Sequence, residues 1–485
     1  MRSESNPQLR RRRGRPATAS ESPGGRRGPG ATRARLIAAR VLERVLRVRA
    51  FANIALHHAL AQSTLPVADR ALATELVYGT LRWRGRIDYL LAQVIDRKFE
   101  TLEPMVISNL RLGAYQILFC DNIPTATAVD QAVHCTRALG AEKASGLVNA
   151  ALRRLGREHL RITLPELHED PMGHLVHSLS LPDWVAEHWM ALYGPEQAAA
   201  LAEASNRPPP LAIRPNRIRT TPDALLEELR ERFPDAARCG YASDGLLLGR
   251  RGDAGRDPAF LDGRFTVQDE ASQLVVDLLE PQPGEAILDS CAAPGTKTTG
   301  IAERMQDNGI VLALDHHSGR LGLVARAIRR LGLDAIRTLE RDATLPLDDL
   351  LEGPMTLPSG AFDRVLVDAP CSGLGTLRRH PDARWRVQPE DCEALQQIQL
   401  ALIERSASVL RPGGVLVYST CTLLPDENEG LVQRFLERNQ DFRIASPGAL
   451  PSTLSPVLDH QGFMRCLPHI HDTDGFFAAR LERTR

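Results

Sequence analysis

Two loops of this chain carry a cysteine in matching settings. VLVDAPCSGLG (365–375) and VLVYSTCTLLPDENE (415–429) each begin as a short apolar run of strand type. Each then breaks into a small-residue loop, with Cys371 in the first and Cys421 in the second. A disulfide, a metal site, a redox pair, packing, or a nucleophile with a helper are the options such a pair offers. No two of the eight cysteines form a C-x-x-C pair, and no Cys/His cluster has zinc spacing, so no metal site is expected. Packing is the usual fate of a free cysteine and is the expectation for Cys120, Cys135, Cys239, Cys392 and Cys466. The flanks of the opening pair differ. Pro370 fixes the backbone before Cys371 and Ser372-Gly373-Leu374-Gly375 comes after it, while Ser419 and Thr420 precede Cys421 and a polar DENE run comes soon after. Neither setting is apolar, and a thiolate is a strong, soft nucleophile once its pKa falls.

A third loop, LDSCAAPGTKTT (288–299), succeeds another strand-like run. Ala292, Ala293 and Gly295 let a ligand approach the backbone, and a helix starting near Thr296 offers free amide donors. The loop matches neither G-x-G-x-x-G nor G-x-x-x-x-G-K-[ST]. Asp315 lies about twenty residues on, at the end of the next strand, where an acid accepts bonds from a ribose diol. An adenosine carrying an amino acid and a sulfonium fits this pattern, because carboxylates favour the positive sulfur. The two halves then join. A thiolate suits an electron-poor double bond such as C6 of a pyrimidine. Addition there makes C5 enamine-like and able to take a methyl group from a sulfonium, and loss of the C5 proton with expulsion of the thiolate restores the ring.

The elements that must position these loops are strand-like segments at 286–290, 310–315, 335–339, 364–368 and 415–419, alternating with helices. Among the helices, Leu395, Ile398, Leu402 and Val409 are expected to line one face, with RPGG as the stop. Such alternation predicts a mostly parallel, Rossmann-like α/β sheet over 265–485, with its ligands beyond the carboxyl ends of the strands. Asp289, Asp315, Asp342 and Asp368 fall at or just past those ends, with both cysteines. Upstream, 36–165 reads as an all-α bundle from its helical spacing, and 166–264 as linker helices leading into a small α/β module. Arg82, Arg84, Arg86, Arg153 and Arg154 are candidates for phosphate contact. Residues 1–35 hold ten Arg against two Glu and little to bury, which predicts a disordered basic arm suited to nucleic acid. Scattered cysteines point to a reducing cytoplasm, and no uncharged apolar run approaches membrane-spanning length.

LDSCAAPGTKTT, VDAPCSGLGTLRRHPDARWR and VYSTCTLLPDENE resemble the RNA cytosine-5 methyltransferases of the Nol/Nop/Sun family, with VQDEASQLV and DGFFAARLE similar to its flanking segments. ELVYGTLRWRGRIDYLL and NLRLGAYQILF resemble the NusB-like RNA-binding domain, and the small α/β module is expected to be RRM-like. The resemblance implies S-adenosyl-L-methionine as cofactor, a monomer, and an unpaired or flipped-out cytosine of 16S rRNA as substrate. It implies Cys421 as nucleophile on C6, Cys371 as the group that helps release methylated RNA, and Asp368 as a contact to both cytosine and cofactor. Cys291, Ala292, Ala293, Pro294, Gly295, Thr296 and Lys297 would form the cofactor loop, with Asp315 on the ribose and Asp342 on the adenine side. The family commonly has Gly-Gly-Lys where this chain has Gly295-Thr296-Lys297, and EGPMTLPSGA (352–361) looks like a longer loop than usual. Two other readings stand beside this one. In the first, the same chemistry acts on tRNA or DNA, the DNA enzymes attacking with the Pro-Cys thiol. In the second, the chain is an RNA-binding assembly factor with an inert methylase domain.

Overall fold

The computed structural model describes residues 32–249, 254–352, 357 and 361–484. Most of the basic arm, 1–31, and most of the 352–361 loop lie outside the described residues. The arm as read from sequence runs too far. The first helix, Arg33–Val48, begins inside it, and Arg35 is buried, its guanidinium donating to Gln116 Oε1 at 2.7 Å. A run of Arg reads as solvated arm, but a long aliphatic stem carries a guanidinium into a core wherever an acceptor waits.

Among the described residues, seven helices of at least nine residues between Arg33 and Glu158 pack around one apolar core. The helix Asp183–Ser205 connects this bundle to a small antiparallel sheet. It breaks at Gly194 (φ 75°, ψ 166°), where glycine adopts a positive φ without strain, and Pro195 restarts it. The small sheet is formed by β1 (Ala212–Pro215), β2 (Ala237–Arg238), β3 (Leu246–Leu247) and β4 (Phe265–Val267) in the order β2-β3-β1-β4, with the helix Pro222–Arg230 against it.

The main sheet contains β5 (Ala286–Asp289), β6 (Ile310–Asp315), β7 (Ile336–Glu340), β8 (Phe362–Asp368), β9 (Leu410–Thr420), β10 (Phe442–Ile444), β11 (Met464–Cys466) and β12 (Phe476–Arg483). Its order is β10-β12-β9-β8-β5-β6-β7, with β11 on β12. β7, β6, β5, β8 and β9 are parallel, and β12 joins β9 antiparallel. Every residue of β5 is buried and all but the first of β6, as strands covered on both faces require. The helix Pro389–Ser408 corrects two expectations. It buries Cys392, Gln399, Leu402, Ile403 and Ser406 while Ile398 faces solvent, and RPGG lies inside β9 as an irregularity in its pairing with β8 rather than as a helix stop. Helical periodicity in the sequence cannot register a buried glutamine. Gln399 faces inward because Pro370 O and Glu427 Oε2 accept from its amide there.

The five arginines proposed for phosphate are largely engaged within the protein. Arg82 is buried and donates to Arg378 O at 2.8 Å, Arg84 lies over the Trp385 ring, and Arg154 pairs with Glu158. Arg86 sits over Trp83 and Phe119, and Arg153 donates to Asn149. Arg82 and Arg84 thus fasten the bundle to the segment downstream of Cys371.

A second fastening joins the small module to the third loop. Arg214 of β1 reaches into the helix Thr296–Arg304, donating to Glu303 at 2.9 and 3.0 Å, to Thr299 Oγ1 at 3.0 Å and to Thr296 O at 2.6 Å, and also to Gln268. Both ionic partners are buried. Removing one partner leaves an uncompensated buried charge, so Arg214→Met is expected to cost about 3–5 kcal/mol. Arg214→Met/Glu303→Met should recover most of that loss. Urea denaturation of the single and double variants measures both.

Candidate active site

β5, β8 and β9 lie side by side, so the loops leaving their carboxyl ends emerge together. Cys371 Sγ and Cys421 Sγ lie 3.4 Å apart, and both cysteines are free. The Cys421 amide donates to Cys371 Sγ at 3.3 Å. Backbone bonds tie the loops together. Gly375 N donates to Cys421 O at 2.9 Å, and Gly475 N donates to Gly375 O at 2.8 Å. β12 pairs Phe477 with Thr420, and continuing that register by one residue sets Phe476 beside Cys421.

The Pro-Cys loop has a polar floor. Ser372 N donates to Glu427 Oε2 at 2.9 Å, and Ser372 Oγ lies 2.6 Å from Thr422 Oγ1. The Gln399 amide completes this floor by bridging Pro370 O and Glu427 Oε2. Hydrogen bonding to Cys421, burial, and the nearby charge of Glu427 push the Cys371 thiol well above the ordinary range. Either sulfur can be the donor in this contact, and the Cys421 amide opposes the rise by donating to Cys371 Sγ.

Asp368 ends β8 beside this pair. Its Oδ2 accepts from Lys297 Nζ at 2.7 Å and its Oδ1 from Ser419 Oγ at 2.8 Å. Lys297 is buried, and its ammonium lies 5.0 Å from the Phe476 ring centroid. Asp289, fully buried at the end of β5, accepts from Thr298 Oγ1 at 2.7 Å, while its Oδ1 has no hydrogen-bond partner among the described residues. Burial pushes its carboxyl up to about 7, with Asp368 adding to the rise and Thr298, Lys297 and the Cys291 amide opposing it.

The third loop runs as expected. Ala292 and Ala293 are buried, and Cys291 and Thr296 are half-buried. Burial is also the main reason that the Cys291 thiol is raised well above its usual value. Pro294 is exposed, Gly295 takes a positive φ of 103° as the residue before the helix, and Thr296 opens that helix. A Cβ at Gly295 would lie 3.2 Å from Val324 Cα. Asp315 is buried at the end of β6, its Oδ1 accepting from His317 N at 3.0 Å and its Oδ2 3.4 Å from Arg320, which also donates to Ala293 O. Asp342 stands apart. It lies two residues past β7, exposed, where the Thr344 hydroxyl and amide hold its carboxyl below the usual range.

These residues suit an adenosine sulfonium. A tight glycine bend, small buried side chains, a carboxylate at the end of each of three adjacent strands, and an unsatisfied Asp289 oxygen are what a cationic ligand with a ribose requires. Among the described residues no group of three or more His, Cys, Asp or Glu is placed to hold a metal ion, and no helix is long and apolar enough to cross a membrane.

Sheet and site together define a methyltransferase of the Rossmann-like class that uses S-adenosylmethionine. The family description 16S rRNA methyltransferase RsmB/F matches residues 276–482, the NusB family matches 32–157, and the RsmF/B-like ferredoxin-like domain matches 181–254. The chain is 37% identical over 451 residues to the ribosomal RNA small subunit methyltransferase B of Pseudomonas syringae, covering 92% of this chain and 96% of that one. It is 36% identical over 457 residues to the Synechocystis protein named "Probable ribosomal RNA small subunit methyltransferase B", covering 93% and 99%. Among solved structures, PH0851 matches with a TM-score of 0.75 at 25% identity over 93% of this chain and 99% of that one. A methyltransferase homologue from Pyrococcus horikoshii matches with a TM-score of 0.54 at 28% identity, over 64% and 98%. The chain belongs to the 16S rRNA methyltransferase RsmB/F family, and it methylates rRNA with S-adenosylmethionine as donor.

Sequence reasoning missed Gln399 and the Gly375–Gly475 contact, and marked Glu427 only as part of the polar DENE run after Cys421. Only the late DGFF segment hinted at Gly475, because Gln399 and Gly475 come from segments far from either cysteine loop.

Two outcomes test the geometry. A Cβ at Gly375 would collide with Gly475 O and lie 2.8 Å from Cys421 O, so Gly375→Ala should fold yet lose at least a hundredfold in methylation, measured as transfer from labelled S-adenosylmethionine. Asp289 is protonated more readily folded than unfolded, so its contribution to stability is greatest below about pH 4 and falls as pH rises toward 7. Asp289→Asn, which cannot ionise, should therefore gain stability relative to the native chain between pH 5 and pH 8, read from urea midpoints at both values.

Proposed function

We propose that this enzyme methylates C5 of an unpaired or flipped-out cytosine in 16S rRNA through a covalent bond between Cys421 and C6. The observation that carries this reading is the pair of free sulfurs 3.4 Å apart beside the Lys297–Asp368 ion pair. Cys421 adds to C6, and the electron density released onto C5 makes that carbon nucleophilic. Cys371, whose sulfur lies 3.4 Å away and whose thiol is raised, is assigned to stabilise the Cys421 thiolate before attack and again as it departs. Asp368 accepts from the cytosine amine, and the Lys297 ammonium donates to the ring edge. Asp289, Asp315, Asp368 and the loop Cys291–Lys297 hold S-adenosylmethionine, with Asp342 toward the adenine. When bound, that cofactor supplies a methyl group on a positive sulfur. Transfer of the C5 proton to solvent water, as the C6–S bond breaks and the Cys421 sulfur leaves as thiolate, then restores the aromatic ring.

The target base must leave its stack to meet a thiol. We assign RNA grip to the basic arm 1–35, the bundle 36–165 and the linker and small module 166–264, and catalysis to 265–485. The enzyme is proposed to act as a monomer in the cytoplasm, where unpaired cysteines persist.

Single replacements test the thiol roles. Cys421→Ala should abolish methylation. Cys371→Ala should retain attack but stall release, giving an RNA–protein adduct that survives a denaturing gel. The reverse pattern would make Cys371 the nucleophile and overturn the assignment.

A further inference from the structure

A cavity of about 240 Å³ opens next to the thiol site, against the linker helix Asp183–Ser205. Thr422 follows Cys421 in its loop, Phe476 opens β12, Tyr193 forms the opposite side just before the Gly194 break, and Glu429 and Arg465 close it with Leu467. Its volume falls below the ~300–1,000 Å³ of drug-sized ligand sites and suits one planar heterocycle.

We propose that this cavity receives the base of a nucleotide adjoining the target cytosine, and that the favoured base carries an exocyclic amine. The proposal rests on the assignment of Cys421 as nucleophile. Three features carry it. The cavity adjoins the site, since Thr422 comes directly after Cys421 and Phe476 stands both in its wall and under the Lys297 ammonium. Its walls include three aromatic rings, those of Tyr193, Phe476 and Phe477. Extruding one base strips its neighbour of a stacking partner, and aromatic side chains replace that partner for any base. Its polar end selects among bases. Glu429 Oε2 is buried and paired with Arg465 Nη2 at 3.2 Å, which leaves the carboxylate further lone pairs for a second donor. Asp459, at 2.7 Å, and the Phe477 ring hold that guanidinium in place. A carboxylate with lone pairs left over from that ion pair accepts from the amine of adenine, guanine or cytosine. Uracil offers a carbonyl oxygen there instead and is repelled.

The test uses the full-length enzyme and an unmodified 16S rRNA fragment spanning the cytosine that the enzyme methylates. Copies carry a single abasic site, or a uridine, at each flanking position. Tyr193→Ala should raise KM roughly tenfold, the order expected for losing one base–aromatic contact, and Tyr193→Phe should restore it. The penalty should vanish on the one RNA whose occupying base is already missing, because the two losses are the same contact. Uridine at that position should weaken methylation by the native enzyme, and Glu429→Gln should narrow that difference. A Tyr193→Ala penalty equal on every RNA, or absent on all, overturns the proposal. Adduct formation by Cys371→Ala, measured in parallel, separates the two ideas. Adduct with no neighbour dependence sinks the cavity alone, while no adduct on any RNA sinks the thiol reading and the cavity with it.

Discussion

Two thiols held 3.4 Å apart without a covalent bond place a demand on everything around them. Side chains alone cannot meet it, because two cysteines on independent loops would drift by more than that distance. Backbone bonds meet it instead. Gly375, Cys421 and Gly475 join the Pro-Cys loop, the Thr-Cys loop and the start of β12 through consecutive amide–carbonyl contacts. The close approach at Gly375 leaves no room for a Cβ, so glycine there is a steric requirement. Parallel pairing of β8 with β9 brings the two loops to one sheet edge, and the amide bonds complete the approach.

The same edge gathers charge of opposite kinds. Asp368 is balanced by Lys297 and Asp315 by Arg320, whereas Asp289 has no cation of its own and is held by the Thr298 hydroxyl and the Cys291 amide. A fully buried carboxyl with an unsatisfied oxygen and a value near 7 is poised between its two forms. A cationic ligand nearby favours the ionised form and is held more tightly by it, so ligand charge and carboxyl ionisation reinforce each other. The Cys371 sulfur answers the opposite requirement. Its hydrogen bond with Cys421, burial and the charge of Glu427 raise the thiol.

Locality decides how much of this the sequence makes legible. Continuous apolar runs ending in acids announce β5, β6 and β8, and the small-residue loops after them announce the edge where ligands bind. Cys371, Cys421, Asp368 and Lys297 are readable because each sits in a short motif, and the structure brings all four together. Glu427 and Gln399 are not, since their meaning lies in acceptors and donors supplied from elsewhere in the chain. Burial contradicts the simple reading of charge in the same way. Arg35 and Arg82 look like solvated or RNA-facing groups, yet each finds an acceptor inside the protein. Asp342 shows the converse. Its place just past β7 is legible, but its bonds go to its own turn.

The Pro-Cys loop also carries the fastening between bundle and catalytic sheet. Beyond Gly375 the chain runs directly into Arg378, Arg379, Arg384 and Trp385. Arg384 is fully buried and donates to Arg82 O, Ser180 O and Asn206 Oδ1, from three different segments. Trp385 donates to Leu81 O, and Arg379 bonds Asp474, the residue before Gly475. No carboxylate pairs with Arg384 among the described residues, and burial lowers its guanidinium to about 9. A charge buried against carbonyl groups alone is expensive unless those carbonyls stay in register. Any displacement of the bundle therefore breaks several bonds to one side chain at once. Because that side chain lies thirteen residues from Cys371 on the same connected segment, the position of the bundle and the position of the thiol are set by one network.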